Sequence, residues 1–178
     1  VLVIYGSHRN NGNSEQLAKH MIKEMKTEEI FLRDLTIHPI LDQRHDEEGF
    51  KHRGDDYYGV VERLLQHDEV ILVTPLYWYG MSGRMKNFVD RWSESLRDGK
   101  IEFRESMNRK KFYVVVVGGD DPNQKALPLI MQFRHIVEFF GAKLEDYIIG
   151  EANSPGHILE DERAMKRAEI LNRKWRNI

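Results

Sequence analysis

Cysteine is absent from the 178 residues, which excludes disulfides, thiolate nucleophiles and cysteine-held iron–sulfur or zinc centres. No apolar run approaches the roughly 18–20 residues that a membrane-crossing helix needs. No basic stretch followed by an apolar core opens the sequence, so neither an anchor nor a secretory leader is expected. An excess of one charge is missing too. The net charge is -2 with 31% charged residues of mixed sign, a balance that points to neither a nucleic acid nor a membrane surface as partner. These absences fit a cytoplasmic protein. What is present, 40% hydrophobic residues over this length, suffices for one packed domain spanning residues 1–178.

Strand-like and helical segments alternate along it. Val1 to Tyr5, Ile30 to Leu32, Val70 to Val73, Phe112 to Val117 and Tyr147 to Gly150 read as strands, mostly apolar runs of the kind buried on both faces. Between and after them, helices are expected over Ser14 to Met25, around Val60 to Leu65, through Met81 to Trp92, from Lys125 to Phe140 with Gly141 as C-cap, and over Glu160 to Trp175. Five strands alternating with five helices, without repeats, define an α/β fold: a doubly wound, five-stranded parallel sheet with helices on both faces. Residues 35–58 interrupt the alternation as a long polar insertion loop, either a solvated excursion or the border of a site or subunit contact. Its His38, His45 and His52 lack the spacing of a metal site, and no metal is expected.

In such a sheet ligands sit beyond the carboxyl ends of the strands. Three loops matter there. The first, Gly6 to Ser14, reads "GSHRNNGNS". It fails the P-loop pattern, because five residues separate its glycines and no Lys-Ser/Thr follows, and it contains no G-x-G-x-x-G. It offers neutral donors, the hydroxyls and amides of Ser7, Asn10, Asn11, Asn13 and Ser14, with Arg9 as its single full charge. That set suits one terminal phosphate at a helix start, although Ser14 as a plain N-cap is the simpler alternative. His8 reads as a loop residue rather than a base. The second loop, "TPLYWYGMSGRMKNFVDRW" from Thr74, places Pro75, Tyr77, Trp78, Tyr79 and Gly80 off a strand end, as for a planar ligand or a subunit partner. Further along it, Lys86, Asp90 and Arg91 form either a solvated face or a buried pin. In the third loop Gly118 and Gly119 permit close backbone approach, or simply turn the chain.

Together "GSHRNNGNS" and "TPLYWYGMSGRMKNFVDR" resemble the flavodoxin-like NAD(P)H-dependent FMN reductases and NAD(P)H:quinone oxidoreductases, in the G-S-x-R-x-x-G-N-S and P-x-Y-x-x-x-x-G-x-x-K-x-x-x-D-R patterns. The resemblance implies a flavodoxin-like fold, FMN as cofactor and NAD(P)H as co-substrate. It implies hydride passing from NAD(P)H to FMN and two electrons passing on to a flavin or quinone-type small-molecule acceptor. It further implies that Ser7, Arg9, Asn13 and Ser14 hold the FMN phosphate, with Asn11 and Gly12 contributing backbone. Pro75, Leu76, Tyr77, Trp78 and Gly80 would run along the ring, backbone N–H groups of Leu76 to Gly80 would meet its developing charge, and Gly118, Gly119 and Asp120 would close its other edge. No protein nucleophile is needed, so no catalytic side chain is assigned. A homodimer or homotetramer is implied, with Tyr57, Tyr58 and Trp92 as candidate contacts. The related iron–sulfur flavoproteins carry a cysteine cluster after a proline; here Pro39 is present and the cysteines are not, so no cluster is expected.

Other readings fit less well. A receiver domain needs an acidic cluster after the first strand and an Asp ending the third, where this sequence has Gly6-Ser7-His8 and Thr74-Pro75-Leu76. A non-enzymatic electron carrier or a flavin-sensing partner of a regulator stays open, though shuttle flavodoxins tend to be markedly acidic and this sequence is near neutral.

Overall fold

The apolar runs pair into one all-parallel sheet in the order β2-β1-β3-β4-β5, with β1 at Leu2–Tyr5, β2 at Glu28–Phe31, β3 at Glu69–Pro75, β4 at Lys111–Gly118 and β5 at Lys143–Glu151. The structure is a computed structural model and describes residues 1–176. Register sets Tyr5 opposite Val73 and Val73 opposite Val115. Pro75 of β3 then reaches Val117, and Gly118 reaches Glu151 of β5. The carboxyl ends of β1, β3, β4 and β5 therefore open on one side. Strand order reverses between β1 and β3, which is where a doubly wound sheet leaves its crevice.

Period-two alternation sorts the strand residues between two apolar layers. Leu2, Ile4, Leu72, Val114 and Val116 pack with α2 (Tyr57–Leu65), α3 (Gly83–Asp90) and, beyond α4 (Trp92–Ser95) and α5 (Phe103–Asn108), α7 (Leu127–Glu138). Val3, Tyr5, Ile71, Val73, Val115 and Val117 pack with α1 (Asn13–Met21) and α8 (Glu162–Arg176).

Several boundaries differ from expectation for identifiable reasons. The first helix stops at Met21 rather than Met25, because the buried Asn172 amide of α8 donates to the carbonyls of Met21 (2.8 Å) and Lys23 (2.9 Å). The helix expected over 125–140 is split into α6 (Pro122–Lys125) and α7, since Pro128 has no N–H to continue the ladder. It closes as expected at Gly141, whose φ is +78° and beyond which the Ala142 N–H reaches back to Val137 O at 3.2 Å. The short α5 was not foreseen; only Phe103 and Met107 of it are fully committed to the core.

The polar segment 35–58 is closed at its base. Asp56 accepts from Thr36 N at 2.7 Å and its own N–H donates to Thr36 O at 3.0 Å. Asp55 accepts from His38 N at 2.9 Å and also from Arg91. Arg91 is fully buried, pairs with both oxygens of Glu94 at 2.8 and 2.9 Å, and lies 4.2 Å from the Tyr57 ring. It is a buried pin, whereas Lys86 and Asp90 form an exposed pair. Tyr57 and Trp92 are buried inside the chain and so are unavailable as subunit contacts; Tyr58 is half-buried and stacks on His52. Among the described residues no helix is long and apolar enough to cross a membrane, and no group of His, Asp and Glu is placed to hold a metal ion.

Candidate active site

A cleft of about 230 Å³ lies at the strand ends. From the β1–α1 loop it is lined by Ser7, Arg9, Gly12, Asn13 and Ser14, from the β3–α3 loop by Pro75, Leu76 and Tyr77, and from the end of β4 by Val117, Gly118 and Gly119. Of the other expected site residues, Asn11, Trp78, Gly80 and Asp120 stand outside this lining. Ala152 and Asn153, just after β5, form a fourth wall that sequence reasoning missed. Nothing in the sequence distinguishes a single Asn after an edge strand, and only register brings it here.

The floor at the phosphate-type loop is the N-terminus of α1. Its N-cap is Gly12, and no side chain caps it, so the N–H groups of Asn13, Ser14 and Glu15 have no helical partner. Ser14 is buried as a first-turn residue and is not the cap. Arg9 supplies the one full charge in the lining, and no carboxylate is part of it. Uncapped donors, the Ser14 hydroxyl and one cation can favour an anion here, whereas the Ser7 hydroxyl is engaged with its own loop, donating to Arg9 O at 3.3 Å and accepting from Arg9 N at 3.1 Å.

Asn13 contributes differently from expectation. Its Nδ2 donates to Ser154 O at 2.9 Å and its Oδ1 accepts from Gly156 N at 2.9 Å. Both ends of the amide tie the loop to the segment after β5, and its backbone N–H, in the first turn of α1, has no helical partner. Asn11 adopts φ 53° and donates its N–H to Glu15. Burial alone would raise the Glu15 carboxyl, but hydrogen bonds from Lys19 and Arg33 outweigh that and hold it below the usual range. His8 accepts at Nδ1 from Arg84 Nε, 3.1 Å away, and lies outside the cleft.

The β3–α3 loop is a two-residue hairpin turn. Tyr77 and Gly80 exchange N–H···O bonds of 3.0 and 2.9 Å, with φ of 47° at Trp78 and 62° at Tyr79. Asn-Gly is the pair this turn favours, and each non-glycine left-handed residue costs about 1–2 kcal/mol. The strained turn leaves Trp78 97% exposed. Leu76 N–H is taken by Val117 O, so of the Leu76–Gly80 donors expected to meet a ligand's charge, those of Leu76, Tyr77 and Gly80 are already used. Tyr79 Oη donates to Asp120 at 2.7 Å, and Lys125 donates to the same oxygen at 2.6 Å. That bridge joins the second and third loops at the rim.

The two glycines of the third loop serve packing within the chain. A Cβ on Gly118 would lie 2.9 Å from Leu76, and one on Gly119 only 1.7 Å from Asn153 Oδ1. Their small size lets three loops meet. A larger groove, about 460 Å³, runs along the β5 edge between Leu127 and Arg163. None of the three loop ends contributes to it except Asn123, and Arg163 caps the edge carbonyl of Ile149.

A parallel 2-1-3-4-5 sheet with an anion-favouring helix start at the β1–α1 turn and an aromatic hairpin after β3 defines a flavodoxin-like protein. Residues 1–144 match the family model for NADPH-dependent FMN reductase, and the chain belongs to that family. It is 45% identical over 172 residues to "Putative NAD(P)H-dependent FMN-containing oxidoreductase YwqN" of Bacillus subtilis (strain 168), covering 96% of this chain and 95% of that protein. It is 42% identical to the structure of Trp repressor binding protein from Bacillus subtilis, with a TM-score of 0.81 over 96% of this chain and 98% of the other. An NAD(P)H:quinone oxidoreductase from Methanothermobacter marburgensis shares the fold at 13% identity, TM-score 0.68, over 97% and 96% of the two chains.

Proposed function

We propose that the cleft holds FMN and that this oxidoreductase passes hydride from NAD(P)H to it and two electrons onward to a flavin or quinone-type acceptor. FMN, when bound, supplies the two-electron chemistry. The chain's part is to bind and orient. Arg9, the Ser14 hydroxyl and the α1 N–H groups would hold the phosphate. Pro75, Leu76 and Tyr77 on one side and Gly118 and Gly119 on the other would receive the flat ring, with Asn153 beside them. Of the Leu76–Gly80 N–H groups, only those of Trp78 and Tyr79 are not consumed by bonds within the chain, and neither residue is part of the cleft lining.

The observation that carries this reading is the uncapped start of α1 opening into a cleft whose lining holds one cation and no carboxylate. Residence in the cytoplasm and assembly as a homodimer or homotetramer belong to the same proposal. Assembly is supported by the exposed stripe Leu127, Met131 and Phe139 on and just beyond α7, and light scattering tests it. The name of the 42% identical relative favours a second reading, a flavin-binding partner of a regulator. Steady NAD(P)H oxidation by the FMN-loaded protein decides for the enzyme. Turnover with quinone but not with free FMN identifies a quinone reductase, and the converse a flavin reductase. A protein that neither quenches FMN fluorescence nor oxidises NAD(P)H overturns both assignments.

A further inference from the structure

We propose that Arg33 is a positioning residue for the phosphate-type loop and sets a preference for phosphorylated flavin over riboflavin. This rests on the FMN reading. Arg33 lies on the 3-10 turn Leu32–Asp34 after β2 and is not part of the cleft lining. Its side chain is only 14% exposed, and its guanidinium is directed at the loop from behind. Nη1 donates to Arg9 O at 3.3 Å and to Glu15 Oε2 at 2.9 Å, and Nη2 donates to Asn10 Oδ1 at 3.1 Å.

The guanidinium plane is itself held. It lies 4.3 Å from the Phe31 ring, and Phe31 stacks at 4.5 Å and 8° on Tyr5, a buried β1 residue. Tyr5 Oη donates in turn to Glu29 at 2.6 Å. A rigid stack thus connects the sheet to the loop that would carry the phosphate.

Charge gives the arrangement its second role. Glu15, with a 1% exposed side chain, stands in the first turn of α1, where a carboxylate alone would repel a bound phosphate. Its Oε2 accepts both Arg33 and the Asn11 N–H (3.0 Å), while Lys19 pairs with Oε1 at 2.8 Å. Glu15 therefore shapes the left-handed turn at Asn11, and Arg33 offsets the charge that shaping brings. Three acceptors at fixed directions require a planar fork; a lysine ammonium keeps the charge but loses that geometry. Only the phosphate end of a flavin meets this loop, so a flavin without phosphate should not register its loss.

The test is titration of the protein with FMN and with riboflavin, followed by flavin fluorescence, for Arg33→Lys, Arg33→Met and Arg9→Ala. Arg33→Lys is expected to weaken FMN about tenfold and Arg33→Met more, with riboflavin affinity unchanged within about twofold. If Arg33→Met fails to fold, Arg33→Lys with an unchanged melting temperature carries the test. Equal weakening of both flavins, as a merely structural role would give, overturns the proposal, and so does an unchanged FMN-to-riboflavin ratio in Arg33→Lys beside a reduced one in Arg9→Ala. An unchanged ratio in all three variants overturns the FMN reading and this inference with it.

Discussion

Replacing Asn13 separates what its side chain does from what its backbone does. The amide makes two hydrogen bonds across the gap between the β1–α1 loop and residues 154–156. Each is worth about 0.5–1.5 kcal/mol net, and Asn13→Ala also leaves the Gly156 N–H without its acceptor, so the loss is about 1–3 kcal/mol. In a domain of this size about 1 kcal/mol corresponds to roughly 2–4 °C, so the melting temperature should fall by about 2–12 °C. The backbone N–H of residue 13 survives, so FMN affinity should drop by less than about tenfold. Asn13→Asp keeps an acceptor for Gly156 but turns a carboxylate toward Ser154 O and adds a negative charge to the helix start. It should bind FMN at least about tenfold more weakly than Asn13→Ala. Thermal melts and FMN titrations of both variants provide the comparison. An Asn13→Ala protein with unaltered melting temperature and no FMN binding would refute the reasoning, by showing that the side chain is itself the phosphate ligand.

Ser14→Ala and Arg9→Ala should raise the FMN dissociation constant by about tenfold while leaving the turnover of fully loaded enzyme near wild type, as read by titration and saturation kinetics. Gly119→Ala places a Cβ where Asn153 Oδ1 stands; displacement of Asn153 should weaken flavin binding and lower the melting temperature, and a crystal structure with Asn153 unmoved would contradict that. Trp78→Asn relieves a left-handed backbone at an exposed side chain and should stabilise the protein by about 0.5–1 kcal/mol, measured by denaturant unfolding. Asp55→Asn leaves the buried Arg91 with Glu94 alone, costing about 2–4 kcal/mol at neutral pH. Burial would raise the Asp55 carboxyl, but bonds from His38 N–H and Arg91 hold it below its ordinary value of 3.8. Its stabilisation is therefore complete above that value and is lost as pH falls below it, so the gap between wild type and variant should narrow in acid and stay constant from pH 6 to 8.

The strands were legible in the sequence because runs such as Val70–Val73 and Phe112–Val117 are buried on both faces and need no context. "GSHRNNGNS" stood out in the sequence because no connector requires so many donors, and part of it lines the cleft at the start of α1. Its internal division of labour was not legible: Asn13 and Glu15 act through partners at 154–156 and at Arg33, distant in sequence, which only the sheet register brings close. Gly118 and Gly119 were legible as a close backbone approach, but the sequence did not show that Leu76 and Asn153 are the side chains an added Cβ would meet there. Tyr57 and Trp92 were candidate subunit contacts, but Tyr57 donates to the Arg91 carbonyl and is drawn inward, and Trp92 packs among Phe88, Phe103 and Phe140. Composition cannot distinguish an aromatic that packs on its own chain from one that awaits another.

Anaerobic addition of NADPH, and separately NADH, to the FMN-saturated protein tests most directly whether the cleft is a hydride-transfer site. The expected result is rapid bleaching of the bound-flavin absorbance by at least one nucleotide and its return when a quinone or free flavin is added. A protein that binds no FMN, or that binds it and leaves it oxidised under an excess of both nucleotides, would contradict the assignment.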